Sequence, residues 1–177
     1  MNEYYQLVSE SLFFDSDDLT YNLEQWKRGK SNILLITGFC GSGKTTMGQQ
    51  LAKKYNAKFV SLDRYYKTPG EHRKLKNLKD SKSIKKYLDN QKTRKVYEST
   101  SILMILDPED AEQFSIILRG ISYLTSSIRA TKRDTEEEGY ERAPIKDRIK
   151  TLWYFLSINK YYMSRFRKWW KYLKEKK

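Results

Sequence analysis

Ile33-Leu34-Leu35-Ile36-Thr37-Gly38-Phe39-Cys40-Gly41-Ser42-Gly43-Lys44-Thr45 is the stretch on which the reading of this chain turns. Residues 33–37 are a continuous apolar run with β-branched side chains, closed by a glycine. Such a run predicts a strand buried on both faces, as parallel sheets require. Residues 38–45 match G-x-x-x-x-G-K-[ST] at every fixed position. Beyond them Met47, Leu51 and Tyr55 recur every four residues, which predicts a helix over 44–55. The order strand, glycine loop, helix separates a phosphate-binding loop from a glycine-rich turn of no function.

Each residue type in the loop has a physical reason. Glycines let the backbone take conformations that a side chain forbids, so successive N–H groups turn inward. A helix begins where the loop ends, and its unpaired N–H groups and dipole favour an anion. Lys44 is placed to reach the β- and γ-phosphates, and Thr45 to put a hydroxyl on magnesium. The candidate nucleotide-binding set is Gly38, Gly41, Ser42, Gly43, Lys44, Thr45 and Thr46. The expected ligand is ATP or GTP with Mg2+. Cys40 holds a variable position and reads as a filler.

Outward from the loop, residues 58–62, 101–106 and 115–118 predict further strands, and 122–133 and 147–173 predict helices. Strands alternating with helices predict an α/β fold with a mostly parallel sheet covered on both faces, hence three layers. Residues 4–14 carry a weak helical stripe, Tyr5, Val8 and Leu12. Residues 67–100 are rich in bases and poor in apolar side chains, with one helical patch at 84–88, and read as an excursion from the core. With no internal repeat and no Pro/Gly linker, the chain reads as one domain over 1–177, with a helical extension at 1–32 and a C-terminal helix at 147–177.

Composition narrows the function classes. Hydrophobic residues are 38% of the 177 and aromatics 14%, too many for a disordered chain. The single cysteine rules out a disulfide within the chain and suits a reducing compartment. The N-terminus lacks the basic-then-apolar pattern of a signal peptide, and no apolar run approaches the roughly 20 residues of a membrane span. A soluble, cytoplasmic protein without a membrane span is expected. The net charge of +13 favours polyanionic partners, although Lys, Tyr, Asn and Ile together are also what an AT-rich coding sequence yields. Acids dominate before Ile33 and bases dominate after Ile145, so the front of the chain suits docking on the tail.

From residue 32 to 66 the sequence resembles the P-loop kinases, the superfamily of nucleoside, nucleotide, shikimate, gluconate and polynucleotide 5′-kinases. The residues that carry this are the strand into the loop, the helix, and Val60-Ser61-Leu62-Asp63-Arg64-Tyr65-Tyr66. The resemblance implies a P-loop NTPase fold in which Asp63 accepts the acceptor's proton or helps hold magnesium. Ile128-Arg129-Ala130-Thr131-Lys132-Arg133-Asp134 resembles the superfamily's arginine-bearing lid, here 122–142. By that resemblance Arg129 and Arg133, four apart on one helix face, clamp the transferring phosphoryl group. The other reading is a solvated basic helix face. Ile102 to Leu106 followed by Asp107 has the Walker B shape and implies that Asp107 supports magnesium; the alternative makes Asp107-Pro108-Glu109 a turn. The resemblance offers no clear fifth strand after the lid and no recognised acceptor motif in 67–100.

In the tail, Leu152, Leu156, Met163, Phe166, Trp170 and Leu173 fall near one helix face, as for a helix docked on the sheet. Tyr161, Tyr162, Trp169 and Tyr172 are surplus to that face and suit base stacking, a dimer seam or a membrane surface. His72, the single histidine, reads as exposed, and no Cys/His cluster fits a structural zinc site. The leading expectation is transfer of a phosphoryl group from ATP to a small hydroxyl or phosphate acceptor. The alternatives are a nucleic-acid-directed P-loop enzyme and a nucleotide-dependent switch.

Overall fold

The computed structural model describes residues 18–62, 81–136 and 145–176. They contain strands β1 Leu19–Tyr21, β2 Ile33–Thr37, β3 Lys58–Ser61, β4 Lys95–Glu98 and β5 Ser115–Leu118. The helices are α1 Leu23–Lys27, α2 Lys44–Lys54, α3 Ser81–Asp89, α4 Ile102–Ile105, α5 Pro108–Ala111, α6 Tyr123–Glu136 and α7 Ile145–Glu175. The sheet runs β1-β5-β2-β4-β3. Four strands are parallel and β1 pairs antiparallel with β5, Leu19 opposite Leu118.

Every residue of β2 is buried, because the strand has neighbours on both edges and helices on both faces. Its alternate side chains feed two cores. Ile33 and Leu35 join Met163, Phe166, Trp169 and Leu173 of α7 on one face. Leu34 and Ile36 join Trp26, Ala52, Val96 and Ile117 on the other. A fully buried side chain of this size contributes roughly 1.5–3 kcal/mol. The result is an α/β fold with a long C-terminal helix.

Three expectations are corrected. Residues 101–106 are not a strand: Ile102–Ile105 is a short helix, with Ile102, Leu103 and Leu106 buried and Met104 exposed. A short apolar run does not by itself separate a strand from a buried helical turn, and here the helical spacing won. Second, the described part of 67–100 belongs to the core. Ile84 and Leu88 of α3 are buried, and β4 lies directly beside β2. Lysines 82 and 86 line the solvent side of α3, which gave the segment its polar look. Third, the segment 1–32 is not helical throughout, since it supplies the edge strand β1. The weak helix expected over 4–14 lies outside the described residues.

On α7 the buried face is Phe155, Asn159, Met163, Phe166, Trp169 and Leu173, turned from the face the spacing suggested. Trp169 is core, and Tyr162, Trp170 and Tyr172 pack partly buried against it. The exposed aromatics are Trp153, Tyr154 and Tyr161. No helix among the described residues is long and apolar enough to cross a membrane.

Candidate functional site

The chain leaves β2 towards β4 and β3 on one side and returns to β5 on the other. Where a parallel sheet reverses its order in this way, a crevice opens beyond the carboxyl ends of the strands. Residues 38–43 bridge β2 and α2 at that crevice. Gly38, Gly41 and Gly43 have φ of 142°, 84° and 81°, in the region that favours glycine. Gly41 has a second reason. A Cβ there would lie 2.0 Å from the Ser126 carbonyl oxygen, so α6 rests directly on the loop.

Inside the loop lies Lys44, almost fully buried. Its Nζ donates to the Phe39 carbonyl at 2.9 Å and stands 3.8 Å from Glu98 Oε1. Glu98, fully buried at the carboxyl end of β4, pairs in register with Ile36 and Ser61. Its Oε2 accepts from Ser61 Oγ at 2.9 Å and from Thr45 Oγ1 at 3.3 Å. A carboxylate taken out of water needs such partners. Two strand ends and the helix start thus converge on one acid, one ammonium and two hydroxyls. Thr46 is exposed.

Arg119 closes the other side. It follows β5, its N–H donates to the Thr37 carbonyl, and its Nε donates to the Ser42 carbonyl at 3.0 Å. Its guanidinium is paired with Asp18. Neither Glu98 nor Arg119 was singled out from sequence. The signal for Arg119 was a base directly after a strand, at the end where parallel sheets bind ligands. Glu98 sits on a four-residue strand, half of it charged, which hydrophobic patterning passes over.

Asp107 stands elsewhere. It precedes α5 and accepts from Lys168 Nζ at 3.1 Å and Arg165 Nη2 at 3.0 Å, both on α7. The Lys168 hydrogen bond, then that of Arg165, hold its carboxyl below the usual carboxylate range. Because 101–106 is not a strand, the Walker B position expected for Asp107 does not exist there. The buried acid beside the loop is Glu98.

Arg129 is exposed on α6, one position before Ala130, which packs on Gly41. Arg133 is paired with Asp134. The two arginines, four apart, lie to one side of the helix face that touches the loop. Asp63 and His72 lie outside the described residues. Leu62, the last described residue before Asp63, donates its N–H to the Glu98 carbonyl at 2.8 Å.

The residues fit a bound phosphate chain and a divalent cation. Ser42 Oγ is buried with no hydrogen-bond partner among the described residues, so it is free to donate. Backbone at Gly41 and Gly43 adopts the left-handed conformation that builds anion-binding concavities. Thr45 and Glu98 together present the hard oxygen donors that magnesium prefers.

Over 43 residues the chain is 44% identical to a curated protein named shikimate kinase from Bacteroides thetaiotaomicron. That match covers 22% of this chain and 25% of the relative, so the chain aligns with only about a quarter of that protein. No family model matches the chain. No solved structure matches it.

Proposed function

We propose that this chain is an ATP- or GTP-dependent kinase whose loop at residues 38–45 binds the triphosphate and whose acceptor is a small hydroxyl or phosphate compound. The observation that carries the reading is the convergence of Lys44, Thr45 and Glu98 at the carboxyl ends of β2 and β4. The short likeness to a protein named shikimate kinase supports the same class. Bound there, the nucleotide and its magnesium would supply the transferable phosphoryl group and much of the charge that stabilises its transfer.

The chain's own residues divide the remaining work. Gly38, Gly41, Ser42 and Gly43 line the cradle, with Thr46 at its exposed edge. Lys44 neutralises phosphate charge from inside the loop. Thr45 holds the metal, and Glu98 takes the supporting role that the sequence suggested for Asp107, which is tied to Arg165 and Lys168 of α7 instead. Asp63 orients or deprotonates the acceptor. Arg129 and Arg133, on the helix resting on the loop, cover the transferring group with planar cationic donors. Arg119 braces the loop from the β5 side.

The test is a thermal-shift panel of nucleosides, nucleotides and sugars, shikimate included, with a non-hydrolysable ATP analogue and magnesium. Ligand at a hundredfold excess over its Kd stabilises by about 2.7 kcal/mol. Lys44→Ala should remove that shift and abolish turnover while the protein still unfolds cooperatively. A variant that transfers phosphate normally refutes the reading.

A second reading keeps nucleic acid as the partner. Exposed Trp153, Tyr154 and Tyr161 stand on α7 among Lys146, Lys150 and Lys160, rings for stacking beside cations for phosphates. Binding of a single strand that weakens steeply with salt supports it, and turnover of a small acceptor indifferent to nucleic acid opposes it.

A further inference from the structure

We propose that Asn159 is a positioning residue for the glycine loop: from the middle of α7 its carboxamide grips the Cys40 peptide from outside and so sets the shape of the loop's inner face. What the loop receives rests on the kinase reading; the grip itself does not.

Asn159 is an anomaly in its helix. It is fully buried in a stripe otherwise made of Phe155, Met163, Phe166, Trp169 and Leu173. Burying an amide is costly unless its polar atoms find partners. Here all of them do. Oδ1 accepts from the Cys40 N–H at 2.9 Å. Nδ2 donates to the Cys40 carbonyl at 3.3 Å and to Ser127 Oγ at 2.9 Å. Ser127 spends its own hydrogen on the Tyr123 carbonyl at 2.7 Å, so towards Asn159 it accepts. That fixes which end of the carboxamide faces which partner.

A carboxamide that accepts from the N–H and donates to the carbonyl of one residue acts as a neighbouring strand would. It holds both peptide units around Cys40. The Cys40 N–H is thereby turned towards α7 and away from the inner face. The flanking contacts have less direction. Phe39 stacks on Phe166 with ring centroids 4.4 Å apart, and Gly41 is pressed by Ser126 and Ala130. Packing confines the loop; directional hydrogen bonds orient its peptides. The Cys40 backbone thus joins the loop to α7, and through Asn159 to Ser127 of α6.

The experiment is hydrogen exchange of the amides at residues 40–42 in the full chain, reported as the ratio of variant to wild type. Asn159→Asp keeps the shape but sets an acceptor against the Cys40 carbonyl. The ratio should reach about tenfold near pH 7.5, while residues 95–98 stay protected. Burial raises the pKa of the new acid, and its protonated form donates again, so the ratio should fall towards one near pH 5. Met163→Ala loosens the same helix face without touching the amide and should leave loop exchange unchanged. Ser127→Ala, the milder variant if Asn159→Asp does not fold, should give about threefold. A ratio near one in Asn159→Asp, or equal loop opening in Met163→Ala, overturns the proposal. Affinity for a magnesium-bound ATP analogue is read in parallel and should fall with Asn159→Asp. Wild type that fails to bind the analogue sinks the kinase reading, and the exchange ratio still judges the grip.

Discussion

Replacing Glu98 by glutamine keeps the shape of the side chain and removes its charge. Lys44 Nζ lies 3.8 Å from Glu98 Oε1, and both groups are almost wholly out of water. At an effective dielectric of about 20, that separation corresponds to roughly 4 kcal/mol of attraction. Burying one fewer carboxylate returns part of this, since ion burial itself costs several kcal/mol. The amide brings a further penalty: its NH2 group takes the place of one carboxylate oxygen, so it meets either the Lys44 ammonium, a donor only, or the Ser61 and Thr45 hydroxyls, which must then turn to accept. A net loss of about 2–4 kcal/mol is expected, somewhat under the roughly 3–5 kcal/mol of a buried pair broken on one side, because glutamine keeps one acceptor oxygen. In a protein of this size that lowers Tm by about 4–16 °C. Urea and thermal melts of Glu98→Gln measure it. The double variant Lys44→Met with Glu98→Leu should recover most of the loss, because apolar side chains of similar volume replace buried ion pairs at little cost. It should not recover nucleotide binding. Glu98→Gln melting within a degree of wild type would refute the claim that this carboxylate compensates the buried lysine.

Gly41→Ala should cost about 3 kcal/mol or more, combining left-handed backbone strain with displacement of α6; a cost below about 1 kcal/mol would mean that Ser126 does not sit on the loop. Asp107→Asn tests the tie between α5 and α7. The folded-state pKa of Asp107 is depressed, so its contribution is present above the unfolded value and disappears as pH falls through the folded one. The side chain is 42% exposed, so solvent screening keeps the effect below about 1 kcal/mol at neutral pH. The gap between wild type and variant should close below about pH 4; a gap that persists there contradicts the assignment. Truncation before Asp147 strips Met163, Phe166, Trp169 and Leu173 from the core, at roughly 1.5–3 kcal/mol each. Insoluble or molten protein is expected, and a soluble, cooperatively melting fragment would show that α7 is an accessory arm.

Local pattern was enough where one continuous segment carries its own signal. β2 runs from Ile33 to Thr37 as the apolar run predicted, since a strand buried on both faces has no polar position to confuse the reading. The loop's glycines are legible for the same reason: positive φ at Gly38, Gly41 and Gly43 is a property of single residues. The helices at α2, α6 and α7 follow from their spacing. What escaped depends on residues far apart in the chain. β4 is four residues long and begins and ends on a charge, so it becomes a buried strand only between β2 and β3. Glu98 acquires its significance from Lys44, Thr45 and Ser61, which lie 37 or more residues away. The edge strand β1 is three residues long and is a strand only because β5 is there to pair with it. Asn159 carries no local signal: its role comes from Cys40, 119 residues earlier, which folding sets against it. Sequence alone determined the strand, glycine loop and helix at residues 33–54, because their instructions are written into consecutive backbone conformations. Tertiary structure decided which acid faces that unit and which helix holds it, because burial and hydrogen bonding are set by neighbours in space rather than along the chain.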